Sequence, residues 1–258
     1  MNPLMIEVER IYYQLVRNNY RSIAITASQP KEGVTSLACL LAERSLLAGK
    51  RTLLVDFNLS QPSFIAQNIN LTDTTAPQNS TGSNDALNPS QHAASNPILA
   101  ESALSGPELV AASHNNAMFT GIVAPSRRET IVELRRPNAL ERYIKRWKES
   151  FDLIIFDTAA VAALHSESIS PERVASACDG TLLVVLSGKT TQNQVKEAIK
   201  KISDAHGTLV GCVMNDQFDP SLKSELLREI ERLAKRFPKI AQKLTSLIKR
   251  SQLLSLER

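Results

Sequence analysis

Apolar runs typical of buried strands alternate with helix-spaced apolar residues along most of the chain. The strand-like runs cover 23–25, 52–55, 119–124, 151–158, 180–186 and 208–214. The helix-like patterns cover 6–19, 37–48, 138–147, 172–177 and 192–206, and 105–109 is typical of a turn into a short helix. This alternation predicts an α/β fold with a mainly parallel sheet, right-handed crossovers and helices on both faces. The strand-like runs contain few polar residues, as expected of strands that are covered on both faces.

The segment 68–97 interrupts this alternation. It consists mostly of Asn, Ser, Thr, Gln, Ala and Pro, and its only charged residues are Asp73 and Asp85. So few large apolar side chains cannot bury enough surface to offset the entropy lost on ordering. We therefore predict a flexible insertion in a surface loop, with a folded lid as the alternative. Order is expected to resume near Ile98.

The segment 221–258 is strongly basic. It carries ten Lys and Arg residues against four Glu, a net charge of +6, whereas the whole chain carries +4. Apolar residues at helical spacing predict two amphipathic helices, 221–237 and 239–254, separated by Pro238. The first is expected to pack on the domain as its final helix. The second fits a membrane surface or a partner's groove, with an ordinary solvated helix as the alternative.

The first helix-like pattern, 6–19, precedes the first predicted strand. Its apolar residues are Ile6, Ile11, Leu15 and Val16, and charged residues lie between them. This pattern predicts an amphipathic helix. The apolar face either docks on the core of its own domain or makes a contact with another subunit.

Composition limits the classes of protein to consider. With 258 residues, 43% of them hydrophobic and 22% charged, the chain is expected to form one domain, 1–220, followed by the basic tail, 221–258. No run approaches the roughly 20 apolar residues of a membrane span, and the first residues lack the apolar core of a signal peptide. We therefore expect a cytoplasmic protein, in which peripheral contact with the inner membrane would come through the tail.

The three cysteines give no sign of a metal or disulfide site. Cys39, Cys178 and Cys212 lie in apolar segments and lack the spacing of metal ligands. In a cytoplasmic protein, such cysteines are expected to be buried, reduced thiols.

The junction between the first strand and the following helix carries the clearest chemical signal. The strand ends in the loop SQPKEG, 28–33, and the helix pattern follows at once. Loops of this layout wrap backbone N–H groups and a helix N-terminus around a polyphosphate. Such loops usually end in Gly-Lys followed by Ser or Thr, whereas here the tetrad is Gly33-Val34-Thr35-Ser36. We predict a phosphate-type loop, including Lys31 and Glu32, that keeps its shape but lacks its main cation.

Several predicted strands end in acidic or amide residues. Asp56 ends one strand, and Asp157 ends another in the segment FDLIIFDT. Ligands of parallel sheets bind at the carboxyl ends of the strands, so Val34, Asp56, Asp157, Ser187 and Asn215 are expected to meet there. A carboxylate in this position holds Mg²⁺ through water or positions a nucleophile. Asp56 and Asp157 are therefore the candidate catalytic residues.

Five segments that carry these features occur in a definite order. They are TASQPKEGVTS, GKRTLLVDFNLSQPS, FDLIIFDTAA, DGTLLVVLSGKT and VMND. Over about 6–220 the chain resembles the cytoplasmic domain of the bacterial tyrosine kinases of capsule and exopolysaccharide synthesis, in the MinD/ParA-like branch of P-loop ATPases. The resemblance implies a P-loop NTPase-like fold and a site for ATP or ADP with Mg²⁺. It also implies that Thr35, Asp56 and Asp157 surround the metal and that Asn215 lies near the base.

The departures from the family's pattern fall on residues that carry chemistry. Lys31 stands at a glycine of the loop and Val34 at its lysine. Asn58 replaces the second aspartate of a D-x-D motif, and Ala159-Ala160 replaces a Pro-Pro pair. A branched apolar side chain at position 34 cannot neutralise phosphate charge, so the resemblance implies a binding pocket with weakened catalysis.

Two further family features are incomplete. The tyrosine cluster that these kinases carry at the C-terminus as their phosphorylation target has no counterpart after Tyr143. The oligomerising E-x-x-R-x-x-R helix is only partly matched, by Glu7, Arg10 and Tyr13. Autophosphorylation of a tail and assembly into rings through that helix are therefore not expected.

Three functions fit this combination. The first is a degenerate kinase-like accessory of exopolysaccharide assembly or export, which docks on a membrane polysaccharide co-polymerase or another export protein and whose pocket holds nucleotide weakly or is vestigial. The second is an active tyrosine kinase or ATPase in which Lys31 reaches the phosphates. The third is a ParA/MinD-like positioning ATPase whose basic tail contacts membrane or DNA. Such ATPases need the lysine that is missing here, so nucleic acid is not an expected partner.

Overall fold

The computed structural model describes residues 5–67, 104–112, 117–163 and 168–217, together with 230, 244 and 245. The elements, in chain order, are α1 (Ile6–Arg17), β1 (Ser22–Ala27), α2 (Val34–Leu47), β2 (Thr52–Phe57), β3 (Phe64–Ala66), β4 (Glu108–Ala112), β5 (Met118–Ile122), α3 (Arg128–Leu134), α4 (Ala139–Ser150), β6 (Leu153–Thr158), α5 (Pro171–Ala177), β7 (Gly180–Leu186), α6 (Gln192–Asp204) and β8 (Leu209–Asn215). The predicted flexible insertion, 68–97, lies outside the described residues. So does the predicted tail, 221–258, except for the three isolated positions.

The described strands form one sheet in the order β3-β4-β5-β2-β6-β1-β7-β8. From β5 to β8 every neighbouring pair is parallel, whereas β4 pairs antiparallel with both β3 and β5. The prediction of a mainly parallel sheet is therefore confirmed, with a short antiparallel edge added to it. Parallel pairing places the carboxyl ends of β1, β2, β6, β7 and β8 at the same edge of the sheet.

Alternate side chains of the central strands pack on opposite faces of the sheet, as the two-residue period of a strand requires. In β6, Ile154 and Phe156 belong to the apolar cluster that includes residues of α3, α4, α5 and α6, whereas Leu153 and Ile155 belong to the cluster that includes residues of α1 and α2. Each of these four side chains is at most 5% exposed. The sheet is therefore covered on both faces, as its almost wholly apolar strands predict.

Helix α1 packs on α2 with a different face from the one expected. Val8, Tyr12 and Leu15 are buried, whereas Ile6 and Val16 are 65% and 52% exposed. Tyr12 is buried because it lies under the Arg44 guanidinium of α2, 4.6 Å from the ring centroid, which gives this aromatic residue a cation–π contact. The apolar pattern correctly predicted the helix but not which of its residues face the core.

Two other expectations need correction, and one helix was not expected. Instead of a short helix after a turn, the structure has β4 from Glu108, because this segment hydrogen-bonds to strands on both sides. Helix α3 was not predicted. Cys39 and Cys178 are buried free thiols as expected, but Cys212 is exposed, because it lies on β8, the last strand of the described sheet.

None of the helices in the described part of the chain is long and apolar enough to cross a membrane.

Candidate functional site

The loop between β1 and α2 adopts an unusual backbone conformation. Lys31 (φ 67°) and Gly33 (φ 103°) both lie in the left-handed region, which favours glycine. Gly33 is the N-cap residue of α2, and as a glycine it has no side chain that could make a capping bond. A Cβ atom at Gly33 would lie 2.6 Å from Asn215 Nδ2, so this position requires glycine for space as well as for conformation.

Glu32 ties this loop to the ends of β7 and β8. Its buried carboxylate accepts hydrogen bonds from Ser28 N (3.0 Å) and from the Thr190 hydroxyl. Its backbone carbonyl accepts a hydrogen bond from Asn215 Nδ2 (2.9 Å). Glu32 and Asn215, both of which the sequence suggested as cofactor-binding residues, therefore lie where three loops meet, and neither lines the neighbouring cavity.

A cavity of about 750 Å³ opens at the carboxyl edge of the sheet. That volume is typical of a small-molecule site. The lining residues are Gln29, Pro30, Lys31, Gly33, Val34, Thr35, Ser36, Asn58, Ser60, Gln61, Pro62, Ser63, Thr158, Ala159, Ala160, Ala163 and Gln217. Among the described residues of this lining, Lys31 alone carries a charge. The predicted loop residues Lys31, Gly33, Val34, Thr35 and Ser36 thus line one cavity.

Asp56 and Asp157 lie side by side behind this cavity. They are direct partners in the register of β2 and β6, and both are fully buried. Asp157 Oδ2 accepts a hydrogen bond from the Thr35 hydroxyl (2.7 Å), whereas Asp157 Oδ1 has no hydrogen-bond partner. Asp56 accepts hydrogen bonds from three backbone N–H groups, those of Asn58, Ser63 and Phe64. The loop after β2 is therefore folded around Asp56, while one oxygen of Asp157 stays unused.

Burial changes the acidity of both carboxyl groups. It raises the pKa of Asp157 to about 8, with a further rise from the neighbouring Asp56 charge and an opposing effect of the Thr35 hydroxyl. Burial also raises the pKa of Asp56 to about 6, against the three N–H groups that favour its ionised form. Two carboxyl groups held together without a cation make the ionised state of both unfavourable. The pair would therefore gain from a cation placed beside it.

The side chains around Asp157 fit a hydrated Mg²⁺ better than a metal held by protein alone. Mg²⁺ prefers oxygen ligands and is usually held by one or two carboxylates together with phosphate oxygens and water. The Thr35 hydroxyl and the unpartnered Asp157 Oδ1 are ligands of that kind. Throughout the described ranges, no group of three His, Cys, Asp or Glu could hold a metal. Of the three predicted metal-site residues, Thr35 and Asp157 are in contact, whereas both oxygens of Asp56 already accept hydrogen bonds.

The phosphate side of the site fits only in part. The loop conformation and the uncapped start of α2 are suited to an anion. Val34, however, is half-buried and packs against the apolar cluster that contains Leu37 and Ala38. The position that usually supplies the phosphate-binding lysine has thus become part of the wall between the cavity and the core.

Ser63 is a site residue that sequence reasoning missed. Its hydroxyl lies 3.1 Å from the Thr35 hydroxyl, and its backbone N–H binds Asp56 Oδ2 at 2.8 Å. Ser63 follows Asp56 by seven residues in a polar loop, and it reaches Thr35 only because that loop folds back on the acid. The Pro62-Ser63 pair after Asp56 was the available signal.

Two curated relatives of this chain are tyrosine-protein kinases. Tyrosine-protein kinase YwqD of Bacillus subtilis (strain 168) is 24% identical over 213 residues, which cover 80% of this chain and 76% of the relative. Tyrosine-protein kinase CpsD of Streptococcus agalactiae is 26% identical over 211 residues, which cover 79% and 82%. The chain is a homologue of bacterial tyrosine-protein kinases. No protein-family model matches it.

A third relative of this kinase homologue is a transport protein. The succinoglycan biosynthesis transport protein ExoP of Rhizobium meliloti (strain 1021) is 25% identical over 201 residues. That match covers 78% of this chain but only 23% of ExoP. The chain therefore spans less than a quarter of ExoP.

Solved structures agree on the fold of the kinase homologue. The VpsO kinase domain superposes with a TM-score of 0.53 at 17% identity, covering 81% of this chain and 92% of that one. The kinase domain of Escherichia coli tyrosine kinase ETK superposes with a TM-score of 0.51 at 16% identity, covering 80% and 71%. The predicted fold class, an α/β, P-loop NTPase-like fold with a mainly parallel sheet and helices on both faces, is therefore confirmed.

Proposed function

We propose that this kinase homologue is a catalytically degenerate P-loop protein that serves as an accessory of exopolysaccharide assembly or export. Its cavity holds a nucleotide with Mg²⁺, and the protein transfers phosphate slowly or not at all. The observation that carries this proposal is Val34, which is packed against the core at the start of α2 where a phosphate-binding cation is needed.

The missing cation affects the transition state more than the ground state. Phosphoryl transfer depends almost entirely on positioning and on electrostatic stabilisation of charge on the moving group. Removing one well-placed donor from such a site costs about 3 to 4 kcal/mol, or roughly two to three orders of magnitude in rate. Binding also relies on backbone N–H groups, which Val34 does not remove. A protein of this kind therefore keeps a ligand site after it has lost its chemistry.

The relatives support the biological setting. Two are tyrosine-protein kinases and one is a transport protein of succinoglycan biosynthesis. We infer that this chain acts in the cytoplasm and docks on a membrane polysaccharide co-polymerase or another protein of the export complex. Nucleotide binding would regulate that docking if the nucleotide binds one conformation of the domain more tightly than another, because it then shifts the population toward that conformation.

The catalytic part is tested with purified protein and radiolabelled Mg²⁺-ATP. We expect little tyrosine autophosphorylation and a turnover far below the roughly 1 to 100 per second of ordinary kinases. Val34→Lys is the informative variant and Val34→Met is its uncharged control. Wild-type turnover of about 1 per second or faster would refute the proposal.

Lys31 supports a second candidate, an active kinase or ATPase. It is exposed and lines the cavity, where no other described residue is charged. If its ammonium group replaces the lost lysine, wild-type protein hydrolyses ATP at a kinase-like rate and Lys31→Ala abolishes this. Unchanged hydrolysis in Lys31→Ala would exclude Lys31 as the catalytic cation.

The membrane part of the proposal concerns the basic tail. A cationic amphipathic helix at 239–254 would hold the protein at the inner membrane beside its partner. We expect a chain truncated after Pro238 to remain folded, as measured by circular dichroism, but to shift from the membrane fraction to the supernatant. Unchanged fractionation with membranes would exclude the tail as the anchor.

A further inference from the structure

We infer that the cavity selects a nucleoside diphosphate over the corresponding triphosphate. The inference rests on the proposed function, because it takes the cavity to be a phosphate site. It goes further by naming which phosphate ligand occupies it. A protein with this selectivity would bind the product of phosphoryl transfer more tightly than the triphosphate substrate.

The contacts that serve the inner phosphates are retained. In a loop of this kind, backbone N–H groups surround the α- and β-phosphates. Here Gly33 keeps the left-handed conformation, and its α-hydrogen side faces the Asn215 amide so closely that no side chain fits. Glu32 holds the loop through Ser28 N and the Thr190 hydroxyl. The loop is therefore fixed from behind by groups that do not enter the cavity.

A second, independent feature points to a ligand with a metal ion. Asp157 Oδ1 is fully buried and has no hydrogen-bond partner, and the other oxygen of Asp157 binds Thr35, which lines the cavity. Buried polar atoms in native proteins nearly always have partners. A Mg²⁺ ion that accompanies a bound diphosphate would supply one.

The contacts that serve the outermost phosphate are missing. The lysine of such a loop reaches the β- and γ-phosphates, and Val34 stands in its place. A γ-phosphate adds negative charge at a place where no described lining residue other than Lys31 is positively charged. The one cation in the described lining, Lys31, is exposed, where solvent weakens its attraction. The triphosphate therefore loses more of its binding affinity than the diphosphate does.

The size of the preference follows from the lost contact. A hydrogen bond to a charged group contributes enough for a change of about tenfold or more in affinity. Because Val34 removes that contact mainly from the terminal phosphate, we expect wild-type protein to bind Mg²⁺-ADP about tenfold or more tightly than Mg²⁺-ATP.

Isothermal titration calorimetry of the full chain with these two ligands measures the ratio directly. Val34→Lys restores a cation for the terminal phosphate and so removes the tenfold preference for the diphosphate. The two affinities are then expected to lie within about threefold of each other or to reverse their order. Val34→Met, which has a similar length and no charge, is expected to keep the wild-type ratio. Lys31→Met is expected to weaken the binding of both ligands to a similar extent. Circular dichroism establishes that each variant is folded.

The outcomes are separable from those of the turnover assay. Wild-type protein that binds Mg²⁺-ATP as tightly as Mg²⁺-ADP overturns the inference while leaving the proposed function intact. Wild-type protein that binds neither ligand at millimolar concentration overturns both the inference and the nucleotide-binding part of the proposed function. Loss of Mg²⁺-ATP affinity alone in Lys31→Met also overturns it, because Lys31 would then serve the terminal phosphate. Rapid turnover, by contrast, refutes the proposed function whatever the affinity ratio is.

Discussion

Acidic side chains lie at both edges of the sheet, but their surroundings are opposite. At the amino edge, Asp179 accepts hydrogen bonds from Lys148 Nζ at 2.7 and 2.8 Å and from the backbone N–H groups of Arg21 and Ser22. Burial alone would raise its pKa, but Lys148 and these N–H groups hold the pKa of Asp179 below its usual value. At the carboxyl edge, burial raises the pKa of Asp56 and Asp157, and no described cation opposes it.

The difference separates structural from functional acids. A buried charge that serves the fold is paired, because leaving it unpaired is costly. Asp179 is partly exposed and is paired in this way, since it joins the end of α4 to the start of β1. Asp157 has no positively charged partner among the described residues, and a cation beside it would stabilise its ionised form. The unpaired acid is therefore the better candidate for contact with a ligand, whereas the paired acid joins two elements of the fold.

The largest expected effect is that of a substitution at Gly33, at the carboxyl edge of the sheet, compared with one at Gly49, near the amino edge. We expect Gly33→Ala to lower the free energy of unfolding by about 2 to 3 kcal/mol, because the left-handed backbone is strained and the new Cβ atom meets Asn215. Gly49→Ala is the matched control. Gly49 has φ +72° with no atom within 4 Å of an added Cβ, so Gly49→Ala should lower the free energy of unfolding by only about 1 kcal/mol. Chemical denaturation measures both values, and equal losses would contradict a tight junction at Gly33.

The next effect should be stabilising and dependent on pH. Because the folded pKa of Asp157 is about 8 and its ordinary value is 3.8, the unfolded chain ionises first as pH rises. Wild-type stability therefore falls between about pH 4 and pH 8, and Asp157→Asn removes that loss. We expect the variant to be more stable than wild type at pH 8, with little difference at pH 4. Denaturation curves across this range check the sign. Destabilisation that does not change with pH would mean that Asp157 serves the fold.

The smallest effect concerns the paired acid. We expect Lys148→Met to lower the free energy of unfolding by about 1 kcal/mol at pH 7, a reduced value because both partners are partly exposed. A lowered pKa stabilises the folded state above the ordinary value and loses this effect as pH falls, so the penalty should shrink below pH 4. Lys201→Met, which breaks an exposed pair with Glu197 on α6, is the control and should change little. A penalty that persists at pH 3 would point to lost packing.

The sequence predicted the fold correctly wherever one local pattern sufficed. Strands buried on both faces are almost wholly apolar, so β2, β6 and β7 were evident without any knowledge of their neighbours. The phosphate-type loop was also evident, since its turn is set by residues adjacent in the chain, Gly33 among them. Strand β4 was missed because its residues carry no strong strand signal. It forms because β3 and β5 offer hydrogen-bonding edges on both sides.

For the site, the sequence by itself determined which residues come to the carboxyl edge, because each follows a parallel strand. Only the tertiary structure decided what each residue does there. Glu32 and Asn215 became ties between loops, Ser63 joined Thr35, and Asp157 kept an oxygen without a partner. These roles depend on distances between residues that are 28 to 183 positions apart, and no local pattern encodes such distances. A hydrogen bond forms only within about 3 Å, so the packing of the sheet and its loops selected which polar groups are paired and which remain for a ligand.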